Sequence, residues 1–350
     1  MPHEADQLAL IERVRAKPLR FRDERITMAH GAGGKATLTL IEGLLAPLLG
    51  VRELDDAARL DGFAMTTDSF VVKPIRFPGG SIGELAVNGT VNDLAMAGAR
   101  PLALTLSLVL EEGLPADELR AEVEAIGAAA RAAGIEIVGG DTKVVERGHC
   151  DSMYVTTTGI GTIDERASLS PSSLRPGDRI IVSGAVGDHG TAVMLARGEF
   201  ELDAAVESDT RSLWPAVDTL LGAAGPSLRC LRDATRGGVA SVLNELARAS
   251  GTAMVVREGE VPVRPAVAGA CEILGIDPMY VANEGVFVAF VAPDGAEDAL
   301  GALRSVPGCE EAAEIGEVKT EPPGLVLVET AFGGRRVMDM LVGDPLPRIC

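Results

Sequence analysis

Residues 102–110 read LALTLSLVL, with leucine at every second position. A strand turns successive side chains to opposite faces, so the alternation lays Leu102, Leu104, Leu106, Leu108 and Leu110 along one side that must be buried. Downstream of Pro115, Leu119, Val123, Ile126, Ala130 and Ala133 recur at spacings of three and four and stop at Gly134, the pattern of an amphipathic helix. IEIV (135–138) then predicts a strand running straight into GGDTK (139–143), and MYVTTTGIG (153–161) predicts the β-branched strand after it. Strand, helix, strand, strand describes an α+β layer.

Outward from this unit, patterned sequence starts at ITMAHGAGG (26–34), and the charged residues before it predict an N-terminal extension, 1–25. The Ser, Pro and Gly cluster LSPSSLRPGDR (169–179) reads as a linker, dividing the chain into an N-terminal domain (26–168) and a C-terminal domain (169–341). The length of 350 residues favours two such units. In the second, DRIIVSG (178–184), AMVV (253–256), VFVAFV (286–291) and LVLVE (325–329) predict strands, and GTAVMLARG (190–198) a short helix. DATRGGVASVLNELARASG (233–251) predicts a long helix capped by Asp233 or Thr235, with Val239, Val242, Leu243 and Leu246 on its apolar face.

Hydrophobic residues make up 47% of the chain and aromatics 3%, so the cores must be built from Val, Leu, Ile and Ala. A net charge of −19, from 32 basic and 51 acidic residues, argues against nucleic acid as a partner, because polyanion binding rests on phosphate neutralisation. Five scattered cysteines without a CxxC pair, and four histidines, predict neither a disulfide framework nor a structural zinc site. The N-terminus is acidic where a secretory signal is basic, and the longest apolar strand-like run is too short to span a bilayer; the expectation is a cytoplasmic protein without a membrane partner.

Five stretches place Asp, Asn or Gly at the end of an apolar element: HGAGGK (30–35), DGFAMTTDS (61–69), VNDLAMAGA (91–99), GGDTK (139–143) and DATRGG (233–238). Glycines let backbone N–H groups approach phosphate oxygens, and carboxylates spread over several loops can share a divalent cation. Taken singly, each is explained by a cap or a turn; together they read as a metal–nucleotide site. HGAGGKAT is not a Walker P-loop, since Ala29 and Ala36 stand where the motif needs Gly and Ser or Thr. His30 and His189 are equally well read as structural or as ligand contacts, and neighbouring His149 and Cys150 on a strand would face opposite ways. The chain ends in PRIC (347–350), a thiol at the last position behind Pro345 and Pro347, on a stretch (342–350) that reads as a mobile tail.

In their order, HGAGG, DGFAMTTDSFVV, VNDLAMAGA, GGDTKVVERG, DATRGG, ANEG and the terminal PRIC resemble the HypE family of hydrogenase maturation factors, over Ile26–Cys350. The other motifs are shared with a wider superfamily of ATP-using enzymes; the terminal PRIC separates this family from it. Val286, after ANEG, departs from the basic residue many relatives carry there. The resemblance implies a PurM-like two-domain α+β fold, with a ferredoxin-like N-terminal half forming the sheet or barrel of a homodimer. It implies ATP and Mg2+ as cofactors, and as partners the carbamoyltransferase HypF and the HypC–HypD complex. The implied reaction is ATP-dependent dehydration of an S-carbamoyl group on Cys350 to a thiocyanate, the source of cyanide for the iron of a NiFe hydrogenase. Matched by position, Asp61, Asp68, Asp93 and Asp141 correspond to metal ligands. Asn92, Gly139, Gly140, Thr142, Asp233 and Gly237 correspond to nucleotide contacts, Asp233 also standing near the metal. Glu284 corresponds to the proton acceptor and Lys143 to the cation beside the thiocarbamate. Two rival readings are a small-molecule synthetase or kinase, for which the tail is dispensable, and a non-catalytic carrier that only presents it.

Overall fold

The computed structural model describes residues 19–51, 54–198, 205–330, 332–343 and 348–350. Most of the expected N-terminal extension, and both prolines of the expected mobile tail, lie outside the described residues. The alternating leucines fall in a long strand, β5 (Ala99–Glu111), where Leu104, Leu108 and Leu110 are buried as the period requires. Leu102 is 43% exposed, because the pairing register shifts between Pro101 and Ala103 and the extra residue turns outward.

In the N-terminal sheet β5 lies between β7 (Met153–Ile163) and β6 (Glu136–Val145), in the order β1-β2-β7-β5-β6, where β1 is Ala58–Leu60 and β2 is Phe63–Phe70. Among the described strands of this sheet, only β5 and β6 run parallel. A parallel pair needs a crossover, supplied by the expected helix, Ala116–Ala133 (α2), which ends at Gly134 in the left-handed conformation at φ +69°. Together with α1 (Ile82–Met96) it covers one face of the sheet, burying Val87, Val91, Leu104, Ile126 and Ala130 in a common cluster. On the other face Phe63, Met65 and Ile160 remain 40–44% exposed. A hairpin of two short strands, β3 (Arg76–Phe77) and β4 (Gly80–Ser81), leads into α1.

The C-terminal sheet has the order β14-β13-β10-β12-β8-β11-β9. Its strands are β8 (Arg179–Val182), β9 (Leu228–Asp233), β10 (Ala253–Arg257), β11 (Phe287–Val291), β12 (Ala313–Lys319), β13 (Val326–Glu329) and β14 (Arg335–Met338). Every residue of β11 is buried because both faces are covered. Val288 and Phe290 pack with Val239, Val242 and Leu243 of one helix, whereas Phe287, Ala289 and Val291 pack with Val217, Leu220 and Leu303 on the other side. Ala95 and Met96 of α1 join the second cluster, so the two domains share a core and α1 is held across their boundary. The expected linker is itself anchored, with Leu169 and Leu174 buried.

The long helix of this half is not capped as its residue types suggest. The helix after DATRGG runs only from Gly238 to Ser250 and is preceded by Gly237, so neither Asp233 nor Thr235 caps it. Gly237 and Gly238 adopt φ of +76° and +59°, and a Cβ on Gly238 would stand 2.5 Å from the Met279 carbonyl oxygen. This glycine turn separates strand from helix and leaves Asp233 as the final residue of β9.

Candidate active site

Carboxylates from separate elements converge where the two domains meet. Asp93 comes from α1, Asp233 from the end of β9 and Asp56 from the segment before β1, and each offers an oxygen within 4.8 Å of the others. Thr66 of β2 donates to Asp93 at 2.7 Å, and Arg232 donates to Asp56 at 2.6 Å. Burial, and then the neighbouring charge of Asp68, hold the Asp93 carboxyl well above its usual range; burial and the charge of Asp56 do the same to Asp233. Burial also raises Asp56, although Arg232 opposes it. Acidic groups crowded in this way, each with an oxygen within 4.8 Å of the others, suit a hard divalent cation, whose charge would relieve their repulsion. Asp56, Asp93 and Asp233 are the residues that could hold it.

The ANEG loop is fixed beside this cluster by its backbone. The N–H groups of Glu284 and Gly285 donate to the two carboxylate oxygens of Asp209, each at 3.0 Å, and Arg211 donates to the Gly285 carbonyl. Glu284 is only 3% exposed, and its carboxyl is pushed well above the usual range by burial and by the charges of Asp233 and Asp209, against the pull of Arg236. A carboxyl whose proton affinity is raised in this way is suited to take a proton as a general base.

The C-terminal residues lie in the same place. Ile349 is buried in a cluster with Phe70, Val72, Phe77 and Met194, and the Val71 N–H donates to the Cys350 carbonyl at 3.2 Å. Arg348 pairs with Asp151. Cys350 as a residue keeps partial exposure, yet its thiol is pushed up to about 12, first by burial and then by Glu284, Asp68 and Asp233, with Arg236 pulling it down. Cys350, Arg236 and Gly237 line a cavity of about 330 Å³, closed on another side by Thr27, His30 and Gly31. The HGAGG and DATRGG loops meet there: a Cβ on Gly33 would stand 2.6 Å from the Arg236 carbonyl oxygen, and Ser241 donates to the Gly33 carbonyl at 3.0 Å. His30 is used within its own turn, accepting at Nδ1 from the Thr27 N–H and pairing at Nε2 with Asp23.

Of the residues singled out in the sequence, Asp68, Asp93, Asp233, Gly237, Glu284 and Cys350 come together in this region. Asn92 is there too, but its amide is fully engaged: it donates to the Arg211 and Glu284 carbonyls and accepts from the Leu213 N–H, and so ties α1 to the C-terminal domain. Asp61 stands apart, exposed in the β1–β2 turn at φ +43°. Gly139, Gly140, Asp141, Thr142 and Lys143 all lie on β6, exposed along nine of its ten residues, where Lys143 pairs with Asp141 at 2.5 Å. Registers fix which way they face. Asp68 is opposite Thr157, Thr157 opposite Leu106 and Leu106 opposite Gly140, so Asp141, one residue on, points to the other face of the sheet. Within one chain, Asp141 and Lys143 share the open face with Phe63, Met65 and Ile160. His149 is exposed and Cys150 buried, which separates that pair.

Sequence reasoning missed Asp56, Asp209 and Arg236. Arg236 was visible as the cation inside DATRGG; Asp56, half of an Asp-Asp doublet before β1, and Asp209 have no local signal, since only the packing of distant elements gives them their role.

Two family models match the chain, that of the AIR synthase related protein N-terminal domain over residues 54–163 and that of its C-terminal domain over 175–328. Carbamoyl dehydratase HypE of Rhodobacter capsulatus is 48% identical over 339 residues, which cover 94% of this chain and 99% of that relative. A chain in a crystal structure of a HypE–HypF complex superposes with a TM-score of 0.83 at 44% identity, over 86% of this chain and 99% of that one. The structure of HypE in complex with ATP gives a TM-score of 0.79 at 47% identity, over 93% and 100%.

Proposed function

This chain belongs to the HypE family of carbamoyl dehydratases, PurM-like ATP-dependent enzymes of hydrogenase maturation, and on that premise we propose that the group it dehydrates is carried on its own Cys350. The observation that carries this reading is the lodging of the last residue's thiol in one cavity with Arg236, under the electrostatic influence of Glu284, Asp68 and Asp233. A carbamoyl group on that sulfur would stand among a base, a cation and a cluster of carboxylates suited to metal.

The reaction must remove the carbonyl oxygen and both amide protons from S–C(=O)NH2 to leave S–C≡N. Oxide is a poor leaving group, and ATP supplies the remedy by converting the oxygen into a phosphate ester that departs as phosphate. Mg2+ held by Asp56, Asp93 and Asp233, with Asp68 nearby, would neutralise phosphate charge. One proton leaves the carbamoyl nitrogen for solvent as its oxygen takes the phosphoryl group, and Glu284, kept desolvated and with an elevated proton affinity, accepts the second as the C–O bond breaks. Arg236 offsets negative charge gathering around the sulfur and the phosphate. Arg211, Asp209 and Asn92 keep the Glu284 backbone fixed, so that the base meets the nitrogen without searching.

Lys143 and Asp141 enter through a second copy of the chain. Their strand is exposed and faces away from the chain's own carboxylates, on a sheet face that also leaves Phe63, Met65 and Ile160 open; a homodimer closing that face would cover the apolar residues and carry Lys143 toward the neighbouring site. The carbamoyltransferase HypF loads Cys350, and the HypC–HypD complex receives the cyanide, so the tail serves two proteins as well as its own cavity. Intact mass tests the reading. With HypF, carbamoyl phosphate and ATP, the native chain gains one carbamoyl group and then loses one water, whereas Cys350→Ala does neither. Loading of Cys350→Ala, or a loaded native chain that keeps its water with Mg-ATP, would overturn it.

A further inference from the structure

The three C-terminal residues are held by more than a passive tail requires. Arg348 O receives the Lys73 N–H at 3.3 Å and Arg197 Nη2 at 2.8 Å, and Cys350 O receives the Val71 N–H. Two of these donors are backbone groups that any tail sequence could use. Ile349 O is held differently, by His189 Nε2 at 2.9 Å.

His189 lies in the first turn of the helix Asp188–Ala196, fully buried, with its ring edge-on to Phe77 at 5.3 Å. A carbonyl oxygen can only accept, so Nε2 carries the hydrogen; Nδ1, 2.8 Å from Ser208 Oγ, then accepts from that hydroxyl. Burial lowers the proton affinity of the ring, which favours this neutral tautomer. If the tail withdrew, His189 would keep a buried donor without its acceptor, an arrangement proteins avoid. The packing of Ile349 against Phe70 and Phe77 holds the tail without direction, whereas the His189 hydrogen bond has direction and lies one residue from the thiol.

We propose that His189 is a positioning residue for the dehydration step: its bond to the Ile349 carbonyl sets how deeply Cys350 enters the cavity and holds it there beside Glu284 and Arg236. This rests on Cys350 carrying the substrate, and the experiment separates the two claims. In His189→Ala, alkylation of Cys350 by N-ethylmaleimide, followed by intact mass without ATP, is expected to rise about five-fold or more as the tail opens. Single-turnover loss of water from the carbamoylated variant with Mg-ATP is expected to slow about ten-fold or more, since small displacements of a reacting group are costly, while loading by HypF is no slower. His189→Gln, whose amide can still donate, recovers part of both effects. A general loss of structure would instead lower the melting temperature and slow loading as well. Should His189→Ala fail to fold, Ser208→Ala, which frees the ring to turn, is expected to shift both readouts in the same directions by less. Alkylation and water loss within about two-fold of native, in whichever of these variants folds, would overturn the proposal. If the loaded native chain loses no water, the dehydratase reading fails, while the alkylation result still decides whether His189 holds the tail.

Discussion

Two acidic, glycine-containing stretches, DATRGG and GGDTK, look alike in the sequence but meet opposite surroundings in the fold. DATRGG ends a strand inside the joint between the domains, where Asp233 is 7% exposed among Asp56, Asp93 and Glu284. GGDTK runs along an edge strand, and its Asp141, held below the usual carboxylate range by hydrogen bonds from Lys143 and the Thr142 N–H, faces solvent. The first stretch forms half a site that this chain completes from its own residues. The second faces away from that grouping, and in the dimer proposed above it would be offered to a second copy of the chain. A motif states which chemistry is available; the sheet register decides which molecule receives it.

The largest loss of activity is expected on the buried side. Glu284→Gln should slow water loss about 10²- to 10⁴-fold while the carbamoylated chain accumulates in the mass spectrum. In the native protein the same step should rise with pH, because Glu284 acts as a base only when deprotonated and its carboxyl lies well above the ordinary range; in the glutamine variant this rise should vanish. The outward half is tested by mixing. If each site takes Lys143 from its neighbour, inactive Lys143→Ala and Glu284→Gln chains, unfolded together and refolded, should recover about a quarter of native activity, since half the dimers are mixed and each of these holds one intact site. No recovery would return Lys143 to its own chain. Met65→Lys, on the open face, should shift sedimentation from dimer to monomer and take activity with it.

A smaller effect of opposite sign is expected at the metal cluster. Asp93→Asn removes one of the crowded carboxyls, so the metal-free protein should melt about 2 °C higher yet lose the stabilisation that Mg2+ gives the native chain. The sign in pH follows from the raised carboxyl of Asp93: the folded state keeps its proton longer than the unfolded chain, so metal-free stability falls as pH rises from the unfolded value toward the folded one. The variant should show a shallower fall. The least change is expected from Asp61→Asn, in an exposed turn, which should alter stability by no more than about 0.5 kcal/mol in thermal melts.

Much of this architecture was legible without coordinates. The leucine alternation, the helix ending at Gly134 and the buried run VFVAFV became β5, α2 and β11, because periodicity and length record which faces are covered. Local rules failed where a contact from elsewhere overrode them. Leu102 turns outward at a register shift that no period encodes, and Asp233, a good cap by residue type, is kept from capping by a glycine turn pressed against Met279 and Val281.

The order of residues supplies the chemistry on hand: a terminal thiol, a glutamate in ANEG, aspartates at strand and helix ends, and glycines where loops must approach one another. These are local properties, carried by residue type and spacing. Tertiary structure alone decided the grouping. It drew Asp56, Asp209 and Arg236 into the site, spent Asn92 on joining the domains and set Asp141 and Lys143 on the far face of the sheet. Proton affinity, metal affinity and reach all depend on distances and desolvation between residues far apart in the chain, and those exist only once it has folded.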